Sequence, residues 1–262
     1  MMLQNKNIVI IGGTTGIGWS AARAFIHNGA KVVVVGKAEA TTQEAINMLG
    51  KNGLAITGDA RLAETAQQAI LLCREHLGEL HGLYHVAGGS GRRMGDGPLH
   101  EMSQEGWQAT LDLNLTSIML SNRAAVRAFM DQQSPGTILN TGSVLGYSPS
   151  PKYFTTHAYA TAKSAIIGFS QAIAAYYAPY DIRVNVLAPG LIETPMSQRA
   201  AQDEEIMAFV RTKQPLDKGR IGQPQDLDGL ACYFMSDQSA FTTGQVIAVD
   251  GGWHLSEGQY PG

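Results

Sequence analysis

Little in this chain points to crosslinks, membranes or nucleic acid. It has two cysteines in 262 residues, Cys73 and Cys232. They lie far apart, match no metal-ligand spacing and form no redox pair, so a reducing compartment is expected. Charge of one sign is also scarce, with a formal net charge of −3. No basic run extends beyond Arg92-Arg93, which argues against nucleic-acid binding. No stretch approaches the ~18 apolar residues of a membrane span. The opening "MMLQNKNIVIIGG" has an apolar run that ends in glycines, without the length and flanks of a signal peptide. No cluster of metal ligands is visible. These absences predict a cytoplasmic globular protein with no metal, no membrane and no nucleic-acid partner. The 44% hydrophobic composition suits one large domain spanning 1–262, whose core needs no disulfides.

What the chain does have is alternation. Short β-branched runs are separated by stretches of helical length and period. The runs are Ile8 to Ile11, Val32 to Val35, Leu54 to Ile56, Leu83 to Val86, Thr137 to Leu139, Val184 to Leu187 and Val246 to Val249. In the first intervening stretch Ile17, Ala21, Ala24 and Phe25 share one stripe, and Gly29 supplies a stop. Strands that are apolar on both faces, with helices between them, predict a parallel sheet covered on both sides. The expected fold class is α/β: a single doubly wound Rossmann domain of about seven parallel strands flanked by helices. Two connections are long, Gly88 to Met102 and Pro189 to Gln202. Both follow strand C-terminal ends, where open α/β sheets bind ligands.

The stretch "NIVIIGGTTGIGWSAARAF" reads as strand, glycine turn and helix, with glycines at Gly12, Gly13, Gly16 and Gly18. Glycine lets backbone approach a pyrophosphate, and a helix N-terminus offers free N–H groups. Thr14 and Thr15 add hydroxyls. The alternative is a glycine-rich turn that only joins a strand to a helix. The second strand ends "VVVVGK". A fold selective for NAD usually carries an acid near here for the ribose 2′-OH. Gly36 and Lys37 stand there instead, and a lysine attracts a 2′-phosphate. This predicts NADP(H) as the preferred cofactor, with NAD(H) possible, unless Lys37 is an ordinary surface lysine. Asp59, in "ITGDA", would either accept a hydrogen bond from an adenine amino group or cap the helix that starts near Leu62.

Further residues carry chemistry only in combination. "GWQATLDLNLTSIML" reads as an amphipathic helix with Trp107, Leu111, Leu115 and Ile118 on its apolar stripe. Asn114 falls on that stripe, and a buried amide must find partners. Ser143 ends the strand in "GTILNTGSVLG". No nucleophile elbow surrounds it, so a hydrogen-bond donor fits better than a covalent role. In "HAYATAK", Tyr159 and Lys163 stand four apart and share a helix face. A nearby ammonium is expected to lower the phenol's pKa, which allows proton transfer nearer neutral pH.

Together these segments resemble the short-chain dehydrogenase/reductase family over nearly the whole length. The resemblance rests on Gly12, Gly16 and Gly18, with Ile11 where a threonine is usual. It also rests on Asn114 in "DLNLT", Ser143, Tyr159 and Lys163. "RVNVLAPGLIETPM" supplies Pro189, Gly190, Ile192 and Thr194, and "TTGQVIAVDGGW" matches the family's end. The resemblance implies hydride exchange between the cofactor and a carbonyl or secondary alcohol. Tyr159 would be the acid in reduction and the base in oxidation. Ser143 would hold the substrate oxygen. Lys163 would bind the nicotinamide ribose and lower the Tyr159 pKa, and Asn114 would hold a water leading to solvent. Gly12, Thr14, Thr15, Gly16, Ile17, Gly18, Lys37, Asp59, Ala60, Ala87, Gly88, Tyr159, Lys163, Pro189, Gly190, Ile192 and Thr194 would line the cofactor. The partners implied are a small carbonyl or alcohol substrate and a homotetramer or homodimer, formed partly through the helices of Asn114 and Tyr159.

Two departures from the family pattern stand out. Its Asn-Asn-Ala-Gly reads His85-Val86-Ala87-Gly88 here, with His85 expected to be a satisfied core histidine. Ser143 and Tyr159 are 16 positions apart, a few more than usual, and the excess lies in "GYSPSPKYFTTH". Substrate loops are expected at 88–102, 144–157 and 190–212, with "QDEEIMAFVRTK" as a short helical lid. Arg92 and Arg93 would either read an anionic substrate group or be solvated or intersubunit charges paired with Asp96 or Glu101. The competing functions are NAD-dependent alcohol or sugar dehydrogenation and a scaffold that binds nucleotide without chemistry.

Overall fold

The valine run of the second strand lies among seven parallel strands that hydrogen-bond side by side in the order β3-β2-β1-β4-β5-β6-β7. The structure is a computed structural model and describes residues 1–258. The strands are β1 (Asn7–Ile11), β2 (Lys31–Gly36), β3 (Gly53–Thr57), β4 (Gly82–His85), β5 (Gly136–Thr141), β6 (Ile182–Pro189) and β7 (Val246–Val249). The helices are α1 (Gly16–His27), α2 (Glu39–Leu49), α3 (Ala63–His76), α4 (Gln104–Leu111), α5 (Ser117–Gln132), α6 (His157–Tyr177), α7 (Gln198–Ala201), α8 (Glu204–Lys213) and α9 (Asp228–Met235).

Alternate residues of each strand face opposite sides of the sheet. Ile8, Ile10, Val32 and Val34 pack with Phe25 of α1 and Phe234 of α9. Val9, Ile11, Val33 and Val35 pack with Ala69 and Cys73 of α3 and Phe129 of α5. Each fully buried valine or isoleucine contributes about 1.5–3 kcal/mol. That explains why the central strands are apolar on both faces. Cys73 and Cys232 lie in clusters on opposite faces as free, buried thiols. Burial pushes both thiols up to about 12.

Two boundaries differ from expectation. Strand β4 stops at His85, because the N–H groups of Val86 and Ala87 both donate to the Ile11 carbonyl and turn the chain. The stretch around Asn114 is not a uniform α-helix. A π-turn, Asp112–Thr116, joins α4 to α5. At its centre Asn114 Nδ2 donates to the Thr110 carbonyl (2.9 Å). That bond competes with the main-chain N–H that an α-helix would place there. Among the described residues no helix is long and apolar enough to cross a membrane, and no group of three or more His, Cys, Asp or Glu could hold a metal.

Candidate active site

The sheet order reverses between β1 and β4, and ligands of open α/β sheets settle at the strand C-terminal ends beside such a reversal. The glycine turn lies there. Gly12 has φ +86°, and a Cβ on it would come within 2.6 Å of the Ala87 nitrogen. A Cβ on Gly18 would lie 2.0 Å from the Gly12 carbonyl oxygen. The turn therefore closes onto the start of α1 only with glycine at these positions. Thr15 precedes α1 without a side-chain cap, and the first turn carries no acid. The leading N–H groups of α1 are thus open and electropositive, which fits a diphosphate.

Lys37 follows β2, where its Nζ lies 3.4 Å from Asp59. Asp59 does not cap a helix. Its carboxylate binds the Arg61 guanidinium (2.6 and 3.0 Å) and accepts from the Arg61 main-chain N–H. Arg61 and Lys37 hold its carboxyl below the usual range. Helix α3 begins instead from extended Leu62 with no side-chain cap. An adenine amino group would have to compete with Arg61 for Asp59. Ala60 adjoins this pair, away from the central cavity.

That cavity, about 510 Å³, is lined by Ile17, Gly88, Ser143, Tyr159, Lys163, Pro189, Gly190, Ile192 and Thr194. Four elements bring its polar groups together. Ser143 stands two residues past β5 in extended backbone, and its Oγ accepts from Leu145 N–H (3.2 Å). Its own hydroxyl hydrogen stays available. The next turn packs on α6 so closely that a Cβ on Gly146 would lie 2.8 Å from the Lys163 carbonyl carbon. This contact sets Ser143 against the helix of Tyr159 and Lys163. Lys163 Nζ donates to the Thr141 carbonyl (2.8 Å) and lies 5.5 Å from the Tyr159 ring centre.

Asn114 sits behind the cavity. Its amide clasps Gly89, with Oδ1 accepting from Gly89 N–H (3.0 Å) and Nδ2 donating to Gly89 O (2.9 Å). The Thr110 carbonyl takes the other Nδ2 hydrogen. A water held by this side chain would have to donate to Oδ1. A Cβ on Gly88 would approach Asn114 Oδ1 (2.8 Å) and Lys163 Nζ (3.6 Å), so the two meet at that glycine. His85 is fully buried, with Nδ1 2.7 Å from Ser121 Oγ and Nε2 3.0 Å from the Ala87 carbonyl. Burial, aided by the Lys163 charge, pulls its pKa down to about 3. It is a neutral, satisfied core histidine.

The expected lowering of the tyrosine pKa is not what the geometry produces. Burial pushes Tyr159 up to about 12, offset only in part by the Ser143 hydroxyl. Burial also pulls Lys163 down to about 8. The ammonium is spent on the Thr141 carbonyl, so desolvation of the phenolate outweighs its attraction.

Residues from the segments 88–102, 144–157 and 190–212 line the cavity. Phe154 and Thr156 from the lengthened segment line the cavity, as do Arg92, Arg93, Arg199 and Trp253. Phe154 meets the Trp253 ring at 5.6 Å, and Tyr153 meets the Phe209 ring of α8 at 4.8 Å. Lys152 and the Tyr153 hydroxyl both bind Glu205 of α8 (2.6 and 3.0 Å). Arg92 and Arg93 do not pair with Asp96 or Glu101. Asp96 instead accepts the N–H groups of Ala158 and Tyr159 and caps α6. Glu101 lies beside His100. Asp96, Arg199 and Trp253 carry no local signal in the sequence, because their roles depend on contacts with distant segments.

A glycine turn that fits a diphosphate and a buried Ser-Tyr-Lys set at one end of the sheet are what a nucleotide-dependent oxidoreductase needs. Comparison with known proteins agrees. A family model described as "Enoyl-(Acyl carrier protein) reductase" matches residues 12–254. The chain is 34% identical to 2-(S)-hydroxypropyl-CoM dehydrogenase 3 of Xanthobacter autotrophicus, covering 95% of this chain and 97% of that one. It is 30% identical to a 3-oxoacyl-(acyl-carrier-protein) reductase of Vibrio cholerae, covering 97% and 100%. A crystal structure of a short-chain type dehydrogenase/reductase from Mycobacterium marinum superposes with a TM-score of 0.88 at 31% identity, covering 97% of each chain. The chain belongs to the short-chain dehydrogenase/reductase family. It is an oxidoreductase of alcohols and ketones that works with NAD(P)(H).

Proposed function

We propose that the protein is an NADP(H)-preferring enzyme interconverting a carbonyl and a secondary alcohol, with Tyr159 as acid and base. The observation that carries this reading is a buried phenol and a buried ammonium on one helix face, opening with Ser143 into one cavity. When bound, the nicotinamide supplies or accepts the hydride. Ser143 donates its free hydroxyl hydrogen to the substrate oxygen. Tyr159 gives its phenolic proton to that oxygen in reduction and takes one back in oxidation. Lys163 holds the ribose of the nicotinamide half and stabilises the phenolate when it forms. Asn114 acts as a positioning residue, fixing the Gly88-Gly89 backbone beside Lys163, and Oδ1 is its remaining route to a water. The glycine turn and the α1 N-terminus hold the diphosphate, with Pro189, Gly190, Ile192 and Thr194 on the far wall.

Support for NADP over NAD comes from β2. No acid stands at its end, and Lys37 and Arg61 place two cations around Asp59. Asp59 offsets part of that charge, so the preference is one of degree. The whole chain serves as one such domain, with α8 as the lid. It associates as a homotetramer or homodimer. Met130 on α5 and Tyr176 on α6 stand exposed on the helices that would meet.

The names of the relatives mention hydroxypropyl-CoM, 3-oxoacyl and hydroxysteroid substrates. A panel drawn from ketones and alcohols of those kinds, run side by side with NADPH and NADH, tests the reading. Turnover at least several-fold faster with NADPH is expected. Equal or better turnover with NADH would remove the NADP preference. No turnover with either cofactor, while nucleotide still binds, would favour the scaffold.

A further inference from the structure

The substrate cavity holds cations with no matching anion. Arg92 precedes α4, and Arg199 lies on α7, more than a hundred residues later. Both guanidinium groups donate to the same oxygen, the Tyr153 carbonyl, at 3.1 and 3.3 Å. They are therefore neighbours, and Arg93 lines the same cavity. Among the described residues none of the three makes an ion pair. Carboxylates on the surrounding loops are committed elsewhere. Asp96 caps α6, Asp203 accepts from Ile206 N–H, Glu205 binds Lys152, and Glu193 accepts from Gln223. Two like charges sharing one neutral carbonyl repel each other. Arg92 and Arg199 are exposed at the cavity mouth, and the partial desolvation of Arg92 together with the charge of Arg199 disfavours its charged form, with Asp96 opposing them.

We propose that Arg92 and Arg199 together receive an oxoanion, a carboxylate or a group presenting oxygens in the same way, at the end of the substrate remote from the reacting carbonyl. This rests on the reading of the cavity as the site of carbonyl–alcohol exchange. An oxoanion bridging the two forks would accept N–H groups that a single carbonyl cannot satisfy, and it would neutralise the repulsion. The arrangement has a second consequence. Arg92 belongs to the loop after β4, Arg199 to the loop after β6, and Tyr153 to the lengthened segment. An anion held here would tie all three loops together over the reacting groups, so the same contact would govern both selection and closure.

The test uses straight-chain oxo acids of increasing length and their methyl esters, each bound to the full chain in the presence of NADP+. Binding is measured by calorimetry in the Tyr159→Phe background, so that no turnover is needed. At least one acid is expected to bind about 10-fold or more tighter than its ester. Arg92→Gln and Arg199→Gln should each lower that acid-to-ester ratio about 10-fold, and the double variant should bring it close to one. Arg92→Lys and Arg199→Lys should retain part of it, which separates lost charge from lost packing. An acid-to-ester ratio near one at every length, or a ratio that survives the double variant, would overturn the proposal. Turnover of the same pairs by the unmodified chain is a separate reading. If acids bind preferentially but none is reduced, the anion site stands and the proposed reaction on these substrates fails.

Discussion

The two ends of the sheet carry cavities of similar size and opposite character. At the strand N-terminal ends a cavity of about 610 Å³ is lined by Lys6, His81, Thr137, Arg183, Asp237 and Phe241, among others. Three of its ionisable side chains have their own partners. Lys6 pairs with Asp237 at 2.7 Å, Arg183 donates to Ser239 Oγ and to the Phe234 and Ser236 carbonyls, and His81 accepts from the Asn7 N–H. At the C-terminal ends the smaller cavity holds a phenol and an ammonium, both buried, and arginines without carboxylates. Volume does not separate the two. What separates them is that Lys6, His81 and Arg183 each have partners of their own in the lower cavity, whereas Arg92 and Arg199 share one carbonyl oxygen in the upper one. A settled group holds structure, whereas a desolvated, unsettled one can bind or transfer a proton.

The sharpest way to test that contrast is to remove the phenolic hydroxyl. Tyr159→Phe should lower kcat by about 10²–10⁴-fold while leaving nucleotide binding intact, measured by turnover and by NADPH fluorescence titration. Retained turnover would place the chemistry elsewhere.

A second test concerns pH. Oxidation needs the phenolate as base, so its kcat/KM should rise with pH, and reduction needs the phenol, so its kcat/KM should fall as pH rises. Burial, offset in part by the Ser143 hydroxyl, puts Tyr159 near 12, and burial puts Lys163 near 8. A bound, charged nicotinamide and a charged Lys163 both favour the phenolate, so the oxidation limb should lie below 12. Lys163→Met removes one of those charges. It should move the limb to higher pH and cost about 10²-fold at neutral pH. A pH profile that does not move would show that the lysine plays no part in the titration.

Smaller effects follow at the edges of the comparison. Lys37→Ala should reduce kcat/KM with NADPH about 10-fold and leave that with NADH nearly unchanged, because only the former loses a charge-assisted contact. Equal losses with both cofactors would show that Lys37 does not read the 2′-phosphate. The smallest effect is expected in the opposite cavity. Phe241 is fully exposed there, and Phe241→Ser should alter kcat/KM by no more than about twofold. A tenfold loss would mean that the lower cavity is coupled to the upper one.

Much of the upper site was readable before folding, for local reasons. Gly12, Gly16 and Gly18 lie within one turn, and Tyr159 and Lys163 lie within one turn of helix, so spacing alone brings them together. The strands were readable because both faces of the sheet are covered, which leaves unbroken apolar runs. His85 was read as a core residue and is one. The strand boundary before Val86 is not legible in the sequence, because the N–H groups of Val86 and Ala87 turn onto the carbonyl of Ile11, which belongs to a distant strand. The π-turn was missed for a similar reason, since Asn114 reaches back to Thr110 and across to Gly89. For Asp59 the sequence offers a helix cap or an adenine contact, and it gives no sign of the ion pairs with Arg61 and Lys37.

By itself the sequence determined the order and type of the strands and main helices, the glycine turn and the placing of Tyr159 and Lys163 on one helix face. These depend on period and spacing along one segment, and neighbouring residues are close whatever the rest of the chain does. Only the tertiary structure decided which way the Tyr159 pKa moves, since that depends on how much water the phenolate loses and on where Lys163 spends its ammonium. It alone set Asp96 at the start of α6 and brought Arg92 and Arg199 to one carbonyl oxygen. Those contacts join segments far apart in the chain, and no local pattern encodes the distance between them.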